Sequence, residues 1–257
     1  MKVIVAGEDP FVREVGKLCK RHGHDTTMIL VEDFISALQS GYILDDLADA
    51  EVIIELHNES AAAKHELLMA IGQAVRPDTL ILASALATSA TQAGGWVPNP
   101  ERVVGFGILP PLVDVGVVEL AGGLLTGDEA MTQAKHFWDQ LGYEPVIVGD
   151  GSGLIRARII GCLINEAISA LLEGVATIED IDQAMKLGTN YPFGPLEWAD
   201  YLGLDTVLGI MRGLYDEWGD DRYRPSPLLK RMVIAGKLGK KSGSGFYEYD
   251  GVKKGGA

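Results

Sequence analysis

The chain has 257 residues, 47% hydrophobic and 23% charged, enough for one large or two ordinary globular domains with a substantial core. A formal charge of −14 argues against nucleic acid and anionic membrane surfaces as partners, because both are recognised by concentrated Lys and Arg. No apolar run reaches the roughly eighteen residues of a membrane span, and MKVIVAGEDP passes into an acidic turn instead of a cleavage site, so the expected location is the cytoplasm.

The first half alternates two periodicities. Residues 2–6 are a predicted strand, Gly7 opens a turn, and residues 11–21 are a predicted helix closed by Gly23. A second apolar run ends near Val31 and a short helical segment follows at residues 34–38. A third strand is expected at 52–56, a helix at 61–74 and a fourth strand at 79–83. Two further strands, 103–106 and 115–120, flank a kink made by Pro110 and Pro111. Asp128 reads as the N-cap of a helix reaching Leu141, and a last strand is expected at 144–148. Such alternation predicts a Rossmann-like, mostly parallel sheet with helices on both faces. Cys19 and Cys162 fall in helical patterns far apart, which fits reduced structural thiols, and the five His show no metal-ligand spacing.

From Gly153 the strands stop. Residues 154–173 are apolar on most faces and are expected to be deeply buried; Thr177 with Asp180 caps the next helix, which ends at Gly188. A helix restarts after NYPFGP, residues 204–218 continue the pattern, Pro227 opens another helix, and KKSGSGFYEYDG reads as a glycine-rich turn with a short aromatic strand. The expected organisation is an α/β, degenerate dinucleotide-binding domain at 1–150, an all-helical C-terminal domain at 151–250, and a disordered tail at 251–257. So Leu- and Ile-rich a helical domain is expected to share its core with a second copy, as a homodimer.

The chemistry-bearing residues cluster after the strands. A dinucleotide pyrophosphate needs bare backbone at a helix N-terminus, normally spaced G-x-G-x-x-G. Here Gly7-Glu8-Asp9-Pro10-Phe11-Val12 keeps only the first glycine, and Asp9 before Pro10 is an N-cap signature, so α-helix amides are expected to be capped from within the chain. The acid that would grip a ribose falls on Leu30 by register, with Glu32 two residues on. His57 follows the third strand at the edge where ligands of such folds bind; a single unpaired histidine there reads first as a solvated loop residue and second as a base. Glu59 and Lys64 read either as ligand-facing groups or as a helix-start ion pair. Glu119 is a carboxylate inside an apolar strand and needs a partner, for which Arg156 and Arg158 are available, although both read first as surface or interface residues.

With DIDQAMKLGTNYPFGPLEWADYLGLD followed by KLGKKSGSGFYEY, and ELHNESAAAKHEL in the first half, the chain resembles the 3-hydroxyacyl-CoA dehydrogenase family. The resemblance implies NAD-dependent oxidation of a 3-hydroxyacyl-CoA to the 3-oxo product in fatty acid metabolism, with Gly7, Glu32, Glu59 and Lys64 on the cofactor. It also implies a histidine base oriented by a glutamate, with serine and asparagine holding the substrate oxygen. The base motif G-L-H-F-F-N-P corresponds to residues 105–111, where Gly107 stands in place of the histidine. Glu119 matches the orienting glutamate and is left as the orphan of that pair; the serine falls on Leu86, with Ser84 and Thr88 nearby, and the asparagine falls on Ala157. The helical arm that helps bind CoA is reduced to DFISALQSGYILDDLADA. The expectation is a divergent member with weak or lost dehydrogenase activity, whose NAD site is altered by Asp9 and Val12. Two alternatives are an active NAD(P)-dependent dehydrogenase on a related hydroxy substrate with His57 as replacement base, and a non-catalytic dimeric protein binding an acyl-CoA or other small ligand. A Glu119 buried without a cationic partner would be pushed up in pKa by desolvation.

Overall fold

The computed structural model describes residues 1–39, 44–113 and 116–249; the expected disordered tail at 251–257 and the first residue of the strand expected at 115–120 lie outside the described residues. The chain divides into two compact units, Met1–Arg156 and Ala157–Ala257.

The first unit contains β1 (Lys2–Gly7), α1 (Phe11–Arg21), β2 (Asp25–Leu30), α2 (Val31–Gln39), α3 (Leu44–Asp49), β3 (Val52–Leu56), α4 (Ala61–Ala74), β4 (Leu80–Ser84), α5 (Ala90–Gly95), β5 (Val103–Gly107), β6 (Gly116–Ala121), α6 (Asp128–Gln140) and β7 (Tyr143–Ile147). One sheet in the order β2-β1-β3-β4-β5-β6-β7 carries them all. Strands β1 to β5 are mutually parallel, as are β6 and β7, and the single antiparallel step is β5 to β6. The turn containing Pro110 and Pro111 makes that reversal: Leu112 donates its N–H to Glu14 at 2.6 Å, and the Tyr143 hydroxyl donates to the Val113 carbonyl at 2.6 Å.

Alternate strand residues face opposite sides of the sheet. Ile4, Ala6, Ile53 and Ile81 pack with Phe34, Leu47, Leu67, Leu68 and Ile71 from the helices between β2 and β4. On the α6 side Phe106 meets Trp138, with ring centroids 5.4 Å apart. Cys19 is buried in α1, and burial pushes its thiol up to about 12, so the thiol is not a nucleophile at neutral pH. The cap of α6 lies one residue earlier than expected, at Gly127, and α5, too short and glycine-rich to show a period, was not foreseen.

Helix α7 (Arg156–Leu172) starts on the last residue of the first unit. The second unit continues with α8 (Ile178–Thr189), α9 (Pro195–Leu202), α10 (Leu204–Trp218) and α11 (Pro227–Ile234). Thr177 caps α8 by accepting the Asp180 N–H at 3.2 Å. Two buried carboxylates explain the segments around NYPFGP and SGSGFYEY. Asp182 accepts the N–H groups of Leu196 and Glu197 at 2.8 and 2.9 Å and the Tyr247 hydroxyl at 2.8 Å. Asp200 accepts the N–H groups of Phe246 and Tyr247, both at 2.9 Å. A Cβ on Gly194 would lie 2.2 Å from Asp182, so a side chain there would displace the carboxylate. Helix α7 is not buried on all faces of its own chain, since Ile159 is 57% and Leu172 42% exposed. No helix among the described residues is long and apolar enough to cross a membrane.

Candidate active site at the carboxyl edge of the sheet

From β1 the chain first runs outward to β2 and then returns to place β3 on the other side of β1. The carboxyl ends of β1 and β3 therefore bound a topological switch point, where open α/β sheets bind ligands. Gly7 pairs with Leu56 in this register and has φ 153°, and a Cβ on it would lie 2.6 Å from the Leu56 carbonyl carbon. Only glycine fits there. Helix α1 begins after Pro10, which occupies the N-cap and makes no side-chain cap hydrogen bond. The expectation that Asp9 caps α1 is thus corrected: Asp9 stands one residue too early, and the prolyl ring separates it from the first-turn amides. Val12 is buried in the core. Leu30 pairs with Gly7 at the end of β2, and Glu32 follows, exposed, in the first turn of α2.

His57 is the centre of the edge and is not a solvated loop residue. It is 3% exposed, and its Nδ1 lies 2.7 Å from Glu8 Oε2. The other Glu8 oxygen accepts the Asn58 N–H at 3.0 Å. Asn58 donates its side-chain NH₂ to the Leu56 carbonyl at 3.2 Å, while its oxygen accepts the Ser84 hydroxyl at 2.7 Å. From the other side, the His57 N–H donates to Glu55 Oε1 at 2.7 Å and the His57 carbonyl accepts from Lys64 Nζ at 2.9 Å. Lys64 and Glu55 are themselves a buried ion pair. The pairing of Lys64 with Glu59 is corrected: Lys64, at the first turn of α4, reaches back into the sheet to Glu55, and Glu59 stays half-exposed on the β3–α4 connection. Two of the three Lys64 donors are thus spent on Glu55 and the His57 carbonyl. Ser84 likewise spends its proton on Asn58, whereas the buried Thr88 hydroxyl on the β4–α5 connection has no hydrogen-bond partner among the described residues.

Burial lowers the affinity of the His57 imidazole for a proton, but the hydrogen bond and charge of Glu8 and the charge of Glu55 outweigh it, so its pKa is raised; Lys64 opposes the rise.

Two strands away stands the other pair of positions. Gly107 and Glu119 are directly opposed across the antiparallel β5–β6 step. Glu119 is not an orphan. It accepts the N–H of Ile155 at 3.0 Å and of Arg156 at 3.1 Å, and the Arg156 guanidinium at 2.9 Å. Arg156 also donates to the Gly107 and Val117 carbonyls at 3.0 and 2.9 Å. Arg156, with its side chain 38% exposed, bends back from the surface onto the buried acid and is the partner Glu119 needs, whereas Arg158 stacks over Trp218 at 4.8 Å. A Cβ on Gly107 would meet Leu154 Cδ1 at 3.0 Å and Glu119 Oε2 at 3.2 Å, so neighbours already occupy the room for a side chain. Leu86 and Ala157 are buried apolar residues.

Sequence reasoning missed Glu8, Glu55 and Asn58. For Glu55 a signal was present, since VIIEL places a carboxylate in an apolar strand as GVVELA does for Glu119. Glu8 and Asn58 sit in turns, where polar residues attract no notice.

Profiles of two families match. The 3-hydroxyacyl-CoA dehydrogenase NAD binding domain covers residues 13–151 and the 3-hydroxyacyl-CoA dehydrogenase C-terminal domain covers residues 153–249. A probable 3-hydroxybutyryl-CoA dehydrogenase of Bacillus subtilis is 38% identical over 220 residues, 86% of this chain and 77% of the relative. The 3-hydroxybutyryl-CoA dehydrogenase of Bradyrhizobium diazoefficiens is 38% identical over 219 residues, 85% of this chain and 75% of the relative. The crystal structure of (S)-3-hydroxybutyryl-CoA dehydrogenase from Ralstonia eutropha superposes with a TM-score of 0.75 at 31% identity, covering 97% of this chain and 99% of the other. Fold, edge geometry and both profiles agree that this chain belongs to the 3-hydroxyacyl-CoA dehydrogenase family.

Proposed function

We propose that the protein is an NAD-dependent dehydrogenase that oxidises a hydroxyl group of the 3-hydroxyacyl-CoA class, slowly on 3-hydroxybutyryl-CoA itself. The observation that carries this reading is the switch point itself: the turn from β1 to α1 opens on Gly7, whose bare backbone packs against Leu56, and Pro10 at the N-cap of α1 offers the first-turn amides no side-chain hydrogen bond. Bound NAD, which accepts a hydride, would rest its phosphates on Gly7 and the start of α1 and its ribose toward Glu32, with Glu59 on the nicotinamide side. The slow rate on 3-hydroxybutyryl-CoA follows from Gly107, which leaves no base at the position the family's motif gives it, and from the short arm between β2 and β3. Thr88 is the hydroxyl left to hold a substrate oxygen. The exposed apolar residues Ile159 and Leu172 on α7 support a homodimer through the helical unit.

NADH titration followed by fluorescence, then NADH consumption with acetoacetyl-CoA, tests the reading. Micromolar binding and slow but saturable turnover are expected. A protein that binds no NADH is not this dehydrogenase, and the reading of a non-catalytic binding protein then takes its place.

A further inference from the structure

We infer that His57, positioned by Glu8, is the proton acceptor of this protein, a base moved from β5 to the end of β3. The inference rests on the dehydrogenase reading above. A carboxylate only accepts hydrogen bonds, so in the neutral ring the 2.7 Å contact of Nδ1 with Glu8 Oε2 favours the proton on Nδ1 and leaves the lone pair on Nε2. That Nε2 is buried and has no hydrogen-bond partner among the described residues. A buried polar atom left without a partner is destabilising. Nδ1 makes no hydrogen bond of full geometry either, but it is held by its 2.7 Å ion-pair contact with Glu8, whereas Nε2 has no such contact among the described residues and marks the place a ligand completes.

The rest of the network immobilises this one ring. Glu55 and Lys64 fix its backbone N–H and carbonyl, Asn58 fixes the second oxygen of Glu8, and Ser84 fixes Asn58. A base held by an acid that is itself held is the arrangement that general-base catalysis requires. Bound NAD⁺ would supply the acceptor for the hydride of a secondary alcohol; His57 Nε2 takes the O–H proton as the C–O bond becomes C=O. Glu8 stabilises the imidazolium, which returns its proton to water. The charged groups facing the ring are Glu8 from the β1–α1 turn, Glu55 from β3 and Lys64 from α4. Oxidation needs the neutral ring, so its rate falls as pH drops through the raised His57 value, and carbonyl reduction shows the opposite limb.

The test uses the whole chain and the variants His57→Gln and Glu8→Gln. His57→Gln is expected to lower kcat about 10²- to 10⁴-fold while NADH affinity changes little. Glu8→Gln is expected to move the acidic limb of the oxidation profile, and the imidazole titration of His57 followed by NMR, to lower pH together. Turnover that survives His57→Gln overturns the base assignment and leaves the dehydrogenase reading standing. NADH binding without any turnover of a 3-hydroxyacyl-CoA series overturns both. Should circular dichroism show that His57→Gln does not fold, Glu8→Gln decides: an acidic limb that stays in place overturns the inference.

Discussion

Two corners of one sheet edge hold the same two ingredients in different states. At the β5–β6 corner a glutamate remains without its histidine, and Arg156 with two backbone amides has taken its oxygens. At the β1–β3 corner a histidine and a glutamate meet in a buried, cross-braced network. Pairing across the sheet puts Gly7, Leu56, Ser84 and Phe106 in one row, so Glu8, His57, Ala85 and Gly107 follow together one residue later. With strands about 4.8 Å apart, the backbones at the two corners are separated by roughly 10 Å. The comparison teaches that a carboxylate with no imidazole beside it can still have its oxygens fully bonded. Two backbone amides and a guanidinium hold the Glu119 carboxylate, while the imidazole nitrogen without a partner among the described residues stands at the other corner.

The largest effect should come from the brace behind His57. Lys64→Met leaves Glu55 as a buried charge without its cation, which costs about 3–5 kcal/mol; denaturant unfolding of the variant should show it, and a loss below 1 kcal/mol would mean the pair is solvated. At the opposite corner, Glu119→Ala removes bonds from Arg156 and two amides. A loss of roughly 1.5–3 kcal/mol is expected, and the pH limb of turnover should stay where it is. A shifted limb would transfer the chemistry to that corner.

Gly107→His should not restore a rapid enzyme. The new side chain meets Leu154 and Glu119, an overpacking that costs about 1–3 kcal/mol; a rescue of 100-fold or more in kcat would show that the site accommodates its old base. The smallest effect is a slope. The raised His57 pKa means that the folded state binds its proton more tightly than the unfolded chain, whose value is about 6.5. The stability this brings is fully present below that value and is lost as pH rises through the folded pKa. Melting temperature should therefore decline gently with rising pH in the wild type and less in Glu8→Gln; equal slopes would place His57 in an uncharged setting.

Much of the architecture was legible because periodicity is a local property. The helices at residues 11–21 and 61–74 and the strand at 52–56 coincide with α1, α4 and β3, and the family was readable from the segments around NYPFGP and SGSGFYEY. Those segments are recognisable because Asp182 and Asp200 tie specific backbone amides to them, which leaves little freedom of sequence. The site was half legible. Gly107, Glu119 and His57 were singled out and Arg156 was named among the possible partners of Glu119, yet Arg156 was read first as a surface or interface residue and His57 as solvated.

By itself the sequence determined the alternation of strands and helices, the vacancy at Gly107 and the isolation of each acid within its own strand. Tertiary structure alone decided the pairings: Glu8 with His57 across 49 positions, Asn58 with Ser84 across 26 and Glu119 with Arg156 across 37. The physical reason is that the charge state and role of a buried polar group depend on which partner the strand order brings within about 3 Å. Strand order follows from the global packing of the sheet, which no local pattern encodes.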